Sequence, residues 1–168
     1  MSLLIDLLAA GSPGSGKLLW STWQAAADLA GSRPRLVFVG DALDHWSSTL
    51  AATLNADVPL MTALAEVFVC VAVDAAAEPQ LAAMVQHALQ LTAATTGLPA
   101  IAICTPEGQP FGATPWRRAH DLAQVLFQAA EAWHQRPADC RADAARIAAA
   151  AANLRQPATA TDRPLNAT

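Results

Sequence analysis

The stretch Leu36-Val37-Phe38-Val39-Gly40-Asp41-Ala42-Leu43-Asp44-His45-Trp46-Ser47-Ser48 decides how this chain folds. Its first part, taken back to Arg35, is a continuous β-branched and apolar run, the pattern of a strand buried on both faces. Asp44 stands where a helix needs an N-cap, and the residues beyond it predict a helix to about Leu54. The stretch therefore reads as a buried strand turning directly into a helix. Its polar and aromatic side chains, Asp44, His45, Trp46 and Ser47, gather at that turn.

Working outward, Phe68 to Val73 is a second apolar strand, and Glu78 to Thr92 is a helix with Leu81, Met84, Val85 and Leu89 at helical spacing. Pro99 to Cys104 predicts a third strand. The Pro and Gly of Thr105-Pro-Glu-Gly-Gln109 predict a turn, with Pro110 to Ala113 as the return strand. Helices follow from about Trp116 to Trp133 and from Pro137 to Leu154. Upstream, Leu18 to Ala30 reads as a helix with Trp20, Trp23 and Ala27 on one face, ended by Gly31-Ser-Arg-Pro34. The segment Leu3 to Leu8 reads as a short packing helix.

This order, β-α-β-α-β-β-α, predicts two parallel β-α-β steps, a hairpin and a closing helix. That is an α/β thioredoxin-like fold, a central mixed sheet flanked by helices, with extra helices at both ends. The expected organisation is an apolar segment and Gly/Ser linker over 1–16, the thioredoxin-like domain over 17–135, a C-terminal helix over 136–155 and a mobile tail over 156–168.

Composition narrows the function classes. The chain has 168 residues, of which 54% are hydrophobic and 14% charged, enough apolar material to bury a core. Its net charge is −4 with no Lys/Arg cluster, which argues against a nucleic-acid surface and a polybasic membrane patch. The first ten residues are apolar but lack a basic start and contain Asp6, unlike a signal peptide, and the run is too short to span a bilayer. Cys70, Cys104 and Cys140 are odd in number and widely spaced, suggesting neither a disulfide framework nor a zinc site. The expected compartment is the cytoplasm, and no cofactor or metal is expected.

The residues also resemble a known family. Trp20, Trp23, the Ala-rich run Ala25 to Ala30, Arg33-Pro34 and the turn Asp44-His45-Trp46-Ser47-Ser48 are similar to the thioredoxin-like domain of the spermatogenesis-associated protein family and its bacterial DsbH-like relatives, domains of unknown function. Leu54-Asn55, Phe68-Val69 through Val73-Asp74, Glu78-Pro79, Thr96-Gly97-Leu98-Pro99 and Thr105-Pro-Glu-Gly-Gln-Pro-Phe111 continue the resemblance, which runs to about Trp116.

The resemblance implies a site. Where the family carries Cys-His-Trp-Cys-His, this chain has Asp44 and Ser47 at the two cysteine positions. Thiol–disulfide exchange needs a thiolate and a second resolving thiol, and neither residue supplies one. Redox inactivity is therefore expected. The family likeness also places a cis-proline at Leu98-Pro99, beside which extended peptide pairs in thioredoxin-type proteins; otherwise Pro99 simply shapes a turn. Many family members continue into a large helical-toroid domain, so a peptide or protein partner, including a separate toroid domain, is implied here.

The same residues admit other chemistry. Asp44 and His45 invite a general-base or metal reading, with Ser47 as a further polar group in a non-redox enzyme. The simpler alternative is a helix cap with packing neighbours. Gly11-Ser-Pro-Gly-Ser-Gly16-Lys17-Leu18 approaches a phosphate-binding loop for a nucleotide, but Leu18 replaces the hydroxyl that would meet magnesium, and the segment reads equally as a linker. His87, His120 and His134 have no ligand-like spacing, and Cys70 and Cys104 fall within strands.

Overall fold

The computed structural model describes residues 20–115 and 119–155. The elements are α1 (Trp23–Ala30), β1 (Arg35–Gly40), α2 (His45–Ala56), α3 (Val58–Val67), β2 (Val69–Asp74), α4 (Pro79–Ala93), β3 (Ala100–Cys104), β4 (Pro110–Pro115), α5 (Ala119–Gln135) and α6 (Pro137–Arg155). The four strands form one sheet in the order β2-β1-β3-β4.

Every residue of β1 is buried, because the sheet is covered on both sides. Alternate residues sort into two apolar layers. Leu36, Phe38, Cys70, Ala72, Ile101 and Ile103 face one layer, with Leu50 and Leu54 of α2, Leu60 and Leu64 of α3, and Leu122 and Leu126 of α5. Val37, Val39, Val71, Val73, Ala100 and Ala102 face the other, with Ala26 and Ala30 of α1 and Ala82, Val85 and Leu89 of α4. The second layer is built from smaller side chains, which lets α1 and α4 lie close against the sheet. Mixed sheet and helical layers together make a thioredoxin-like α/β fold.

Strand directions differ in one respect from the expected two parallel steps. β1 and β2 are parallel, with Gly40 opposite Asp74, but β3 is antiparallel to β1, with Ala100 opposite Val39. The reason is the path of α4, which packs on β2, β3 and β4 and so crosses the sheet. The loop after it delivers Ala100 at the end of the sheet where β1 finishes. β4 then returns antiparallel through the Thr105–Gln109 turn, whose Gly108 has φ 92.

The N-terminal helix is also shorter than its sequence suggests. Ser21 is not helical but bridges Val71, donating its N–H to the Cys70 carbonyl at 3.0 Å and accepting from Ala72 at 3.1 Å. Thr22 then caps α1. Consequently Trp20 and Trp23 do not share a helix face: Trp20 packs on Phe38 at 6.0 Å, whereas Trp23 lies under the Arg35 guanidinium at 4.9 Å. Ala26 and Ala30 are the buried residues of α1, and Ala27 is exposed.

A helix unforeseen in the sequence, α3, fills the interval before β2. Asp57 starts it by accepting from the Leu60 N–H at 3.1 Å, and Pro59 fits its first turn. The expected helix Leu3–Leu8 and the tail beyond Arg155 lie outside the described residues. The helix expected from Trp116 is seen from Ala119 onward.

Burial pushes the thiols of Cys70 and Cys104 up to about 12, against the opposing pull of the Arg33 and Arg35 charges respectively. An acid whose pKa is raised by folding contributes stability that is complete below its unfolded value and is lost as pH rises through its folded value. The chain has no tyrosine and one lysine, Lys17, so few other groups titrate in that range. We expect the urea midpoint to fall between about pH 9 and pH 12. The Cys70→Ala, Cys104→Ala double variant should flatten that decline; an unchanged slope would contradict the assignment.

Candidate functional site

The turn between β1 and α2 is closed by its own side chains. Asp41 accepts from the Leu43 N–H through Oδ1 at 2.9 Å and from the Asp44 N–H through its carbonyl at 3.0 Å. Asp44 caps α2, its Oδ2 accepting from the Ser47 N–H at 2.7 Å. The Ser47 hydroxyl donates to the same Oδ2 at 3.0 Å and accepts from the Asp41 N–H at 3.1 Å. One buried hydroxyl thus joins the end of the strand to the first turn of the helix.

That arrangement dictates the residue at position 40. A Cβ there would stand 2.9 Å from Ser47 Oγ and 3.2 Å from the Phe38 ring. Glycine is required by close approach, not by an unusual φ. Ser47 itself is 0% exposed. Its hydroxyl is inaccessible and already both donates and accepts, which leaves it unsuited to attack a substrate.

His45 and Trp46 point elsewhere. Both are exposed, and their rings meet edge-on at 5.5 Å. Trp46, with Thr96, Gly97, Leu98, Pro99 and Pro115, lines an open cleft of about 290 Å³. The Leu98–Pro99 peptide bond is cis. Pro99 is buried at the entry to β3 while Leu98 remains partly exposed. Leu43, 91% exposed, adds a further apolar side chain on the neighbouring turn.

The other sequence candidates do not join this site. Gly11 to Lys17 lie outside the described residues. Cys70 and Cys104 are core side chains on opposite faces of the sheet, and Cys140 is buried on α6 with its thiol raised by burial and then by Asp143. His87 lies half-buried on α4 and His134 is exposed near the end of α5. Among the described residues no group of three or more His, Cys, Asp or Glu side chains is placed to hold a metal ion. No described helix is long and apolar enough to cross a membrane.

With the sheet, the capped turn and the cis-proline cleft in place, comparison with known families is decisive. Residues 15–152 match the Thioredox_DsbH family, described as a protein of unknown function, DUF255. The chain belongs to this thioredoxin-like family. No curated protein matches it. In this Thioredox_DsbH chain the matched span includes the turn, the cleft and most of α6.

Two residues that make structural contacts were not found by sequence reasoning, Gln86 beside the cleft and Arg35 at the other end of β1. Gln86 of α4 reaches Gly97, eleven residues on, with two hydrogen bonds. Arg35 is 4% exposed, and its Nε and Nη2 donate to the Pro106 carbonyl at 2.9 and 2.6 Å. A charge opening an otherwise apolar strand is the one hint of it.

Removing the cap should expose how much the turn depends on it. Asp44→Ala leaves the Ser47 hydroxyl and N–H without their acceptor, and we expect a loss of about 2 kcal/mol in urea unfolding. Asp44→Asn keeps an acceptor oxygen and should lose less. Equal losses would mean that the Ser47 contacts contribute little.

Proposed function

We propose that this Thioredox_DsbH chain is a redox-inactive binding module that holds an extended peptide segment, or a segment of a partner domain, in the cleft between Trp46 and Leu98-Pro99. The observation that carries the proposal is the state of the turn. The groups at the two positions read as replaced cysteines, Asp44 and Ser47, are bonded to each other, and Ser47 is sealed from solvent. The accessible surface beside them is apolar and aromatic: Leu43, Trp46 and Leu98. Such a surface suits recognition, because main-chain pairing and an aromatic anchor need no nucleophile.

A separately encoded helical-toroid domain is one partner of the right kind, since the family resemblance joins the two. A protein partner, with no nucleic acid or membrane involved, also agrees with the net charge of −4 and the lack of a basic cluster. Non-redox catalysis by Asp44, His45 and Ser47 is disfavoured by the burial of Ser47 and by the commitment of Asp44 to its cap.

Two measurements test the proposal. The protein should show no insulin-disulfide reduction with dithiothreitol as reductant, while the Asp44→Cys, Ser47→Cys variant should form a dithiol whose oxidation is visible by thiol counting. Catalysed reduction by the unmodified chain would overturn the redox-inactive reading. In a titration with short capped peptides, Trp46→Ala should weaken any saturable binding by about tenfold or more, as loss of an aromatic anchor does. Saturable binding that Trp46→Ala leaves intact would move the site elsewhere.

A further inference from the structure

We propose that Gln86 is the positioning residue of the cleft, its carboxamide fixing the loop that forms one wall. The inference rests on the cleft as the binding site and adds the device that holds it in shape. Gln86 Nε2 donates to the Gly97 carbonyl at 2.8 Å, and the Gly97 N–H donates to Gln86 Oε1 at 2.7 Å. One side chain therefore satisfies both main-chain groups of the residue before Leu98, as a neighbouring strand would.

The loop runs over the surface before it enters β3 at the buried Pro99. After α4 the chain passes through Ala94 with φ 52, and Thr96, Gly97 and Leu98 are all exposed. Gly97 has φ 131, a conformation that residues with a side chain rarely adopt, and a Cβ placed there would meet nothing within 4 Å. Gln86 thus supplies a donor and an acceptor to one and the same loop residue. The origin of the clamp, by contrast, is rigid: Val85 and Leu89, on either side of Gln86, are both 0% exposed.

The chemistry demands glutamine. Glutamate keeps the acceptor but loses the donor and sets a negative charge against the Gly97 carbonyl. Asparagine is one methylene too short. While the clamp holds, the single Gly97 N–H is committed to Gln86 and is not free to donate to an incoming segment, so Gln86 also restricts how a ligand pairs along the loop.

Amide hydrogen exchange by NMR tests this directly on the whole chain. Gln86→Ala should speed exchange at Gly97 by about tenfold, the change expected when one intramolecular hydrogen bond is lost, and Gln86→Glu, which keeps the acceptor for the Gly97 N–H, should speed it less. Exchange at Ala102 and Ile103 within β3 should not change. No acceleration at Gly97, or an acceleration spread equally through β3 and α4, would overturn the positioning role. A titration with a capped hexapeptide of alternating valine and threonine separates the two readings. Binding weakened in Gln86→Ala with β3 exchange unchanged supports both. If the unmodified chain binds none of the peptides tried but Gln86→Ala still frees Gly97, the clamp stands and the cleft fails as a binding site.

Discussion

A serine hydroxyl taken out of water must find partners inside, or about 1–3 kcal/mol is lost. In this molecule Ser47 finds two, the Asp44 carboxylate and the Asp41 N–H. Much of the site follows from that one constraint. Asp44 must sit at the helix cap to receive the hydroxyl, and residue 40 must lack a side chain so that Oγ can approach the strand end. Asp41 must turn the chain so that its N–H faces back. The same contacts set the angle at which α2 leaves β1, and hence where Trp46 meets the cleft.

The sheet beneath supplies the rigid base. Large side chains fill one face and small ones the other, so the crossing helix α4 lies close enough for Gln86 to reach the loop above it. At the opposite end, Arg35 is held by the Pro106 carbonyl and stacked on Trp23, whose ring would lie 2.7 Å from a Cβ at Gly108. A buried guanidinium there ties α1, β1 and the β3–β4 turn together. Tertiary contacts of this kind hold the strand ends in place while leaving the cleft side of the molecule open.

Sequence patterns revealed much of this and missed the rest for identifiable reasons. The strands and α4 were legible because full burial leaves continuous apolar runs and regular helical spacing. Asp44 was legible as a cap because the chemistry is local. Strand direction was not, since the reversal of β3 depends on how α4 crosses the sheet. Trp20 and Trp23 have a helical spacing, but Ser21 pairs with β2 and sends the two rings to different places. Helix α3 was missed although its cap Asp57, its first-turn Pro59 and the helical spacing of Leu60, Met61 and Leu64 are local signals. Gln86 left no mark at all, because its partner is a main-chain group brought near only by the fold. The closed state of the turn likewise needed coordinates: Asp44 and Ser47 were visible as residue types, their mutual bonding was not.

The measurement that bears most directly on the closed turn is the Ser47 hydroxyl proton itself. A hydroxyl that is buried, donates to Asp44 and accepts from Asp41 exchanges slowly with water, and its resonance should be observable with a nuclear Overhauser contact to the Asp41 amide. Asp44→Ala should abolish that resonance. A Ser47 hydroxyl in fast exchange with solvent would contradict the closed turn and reopen Ser47 as a reactive group.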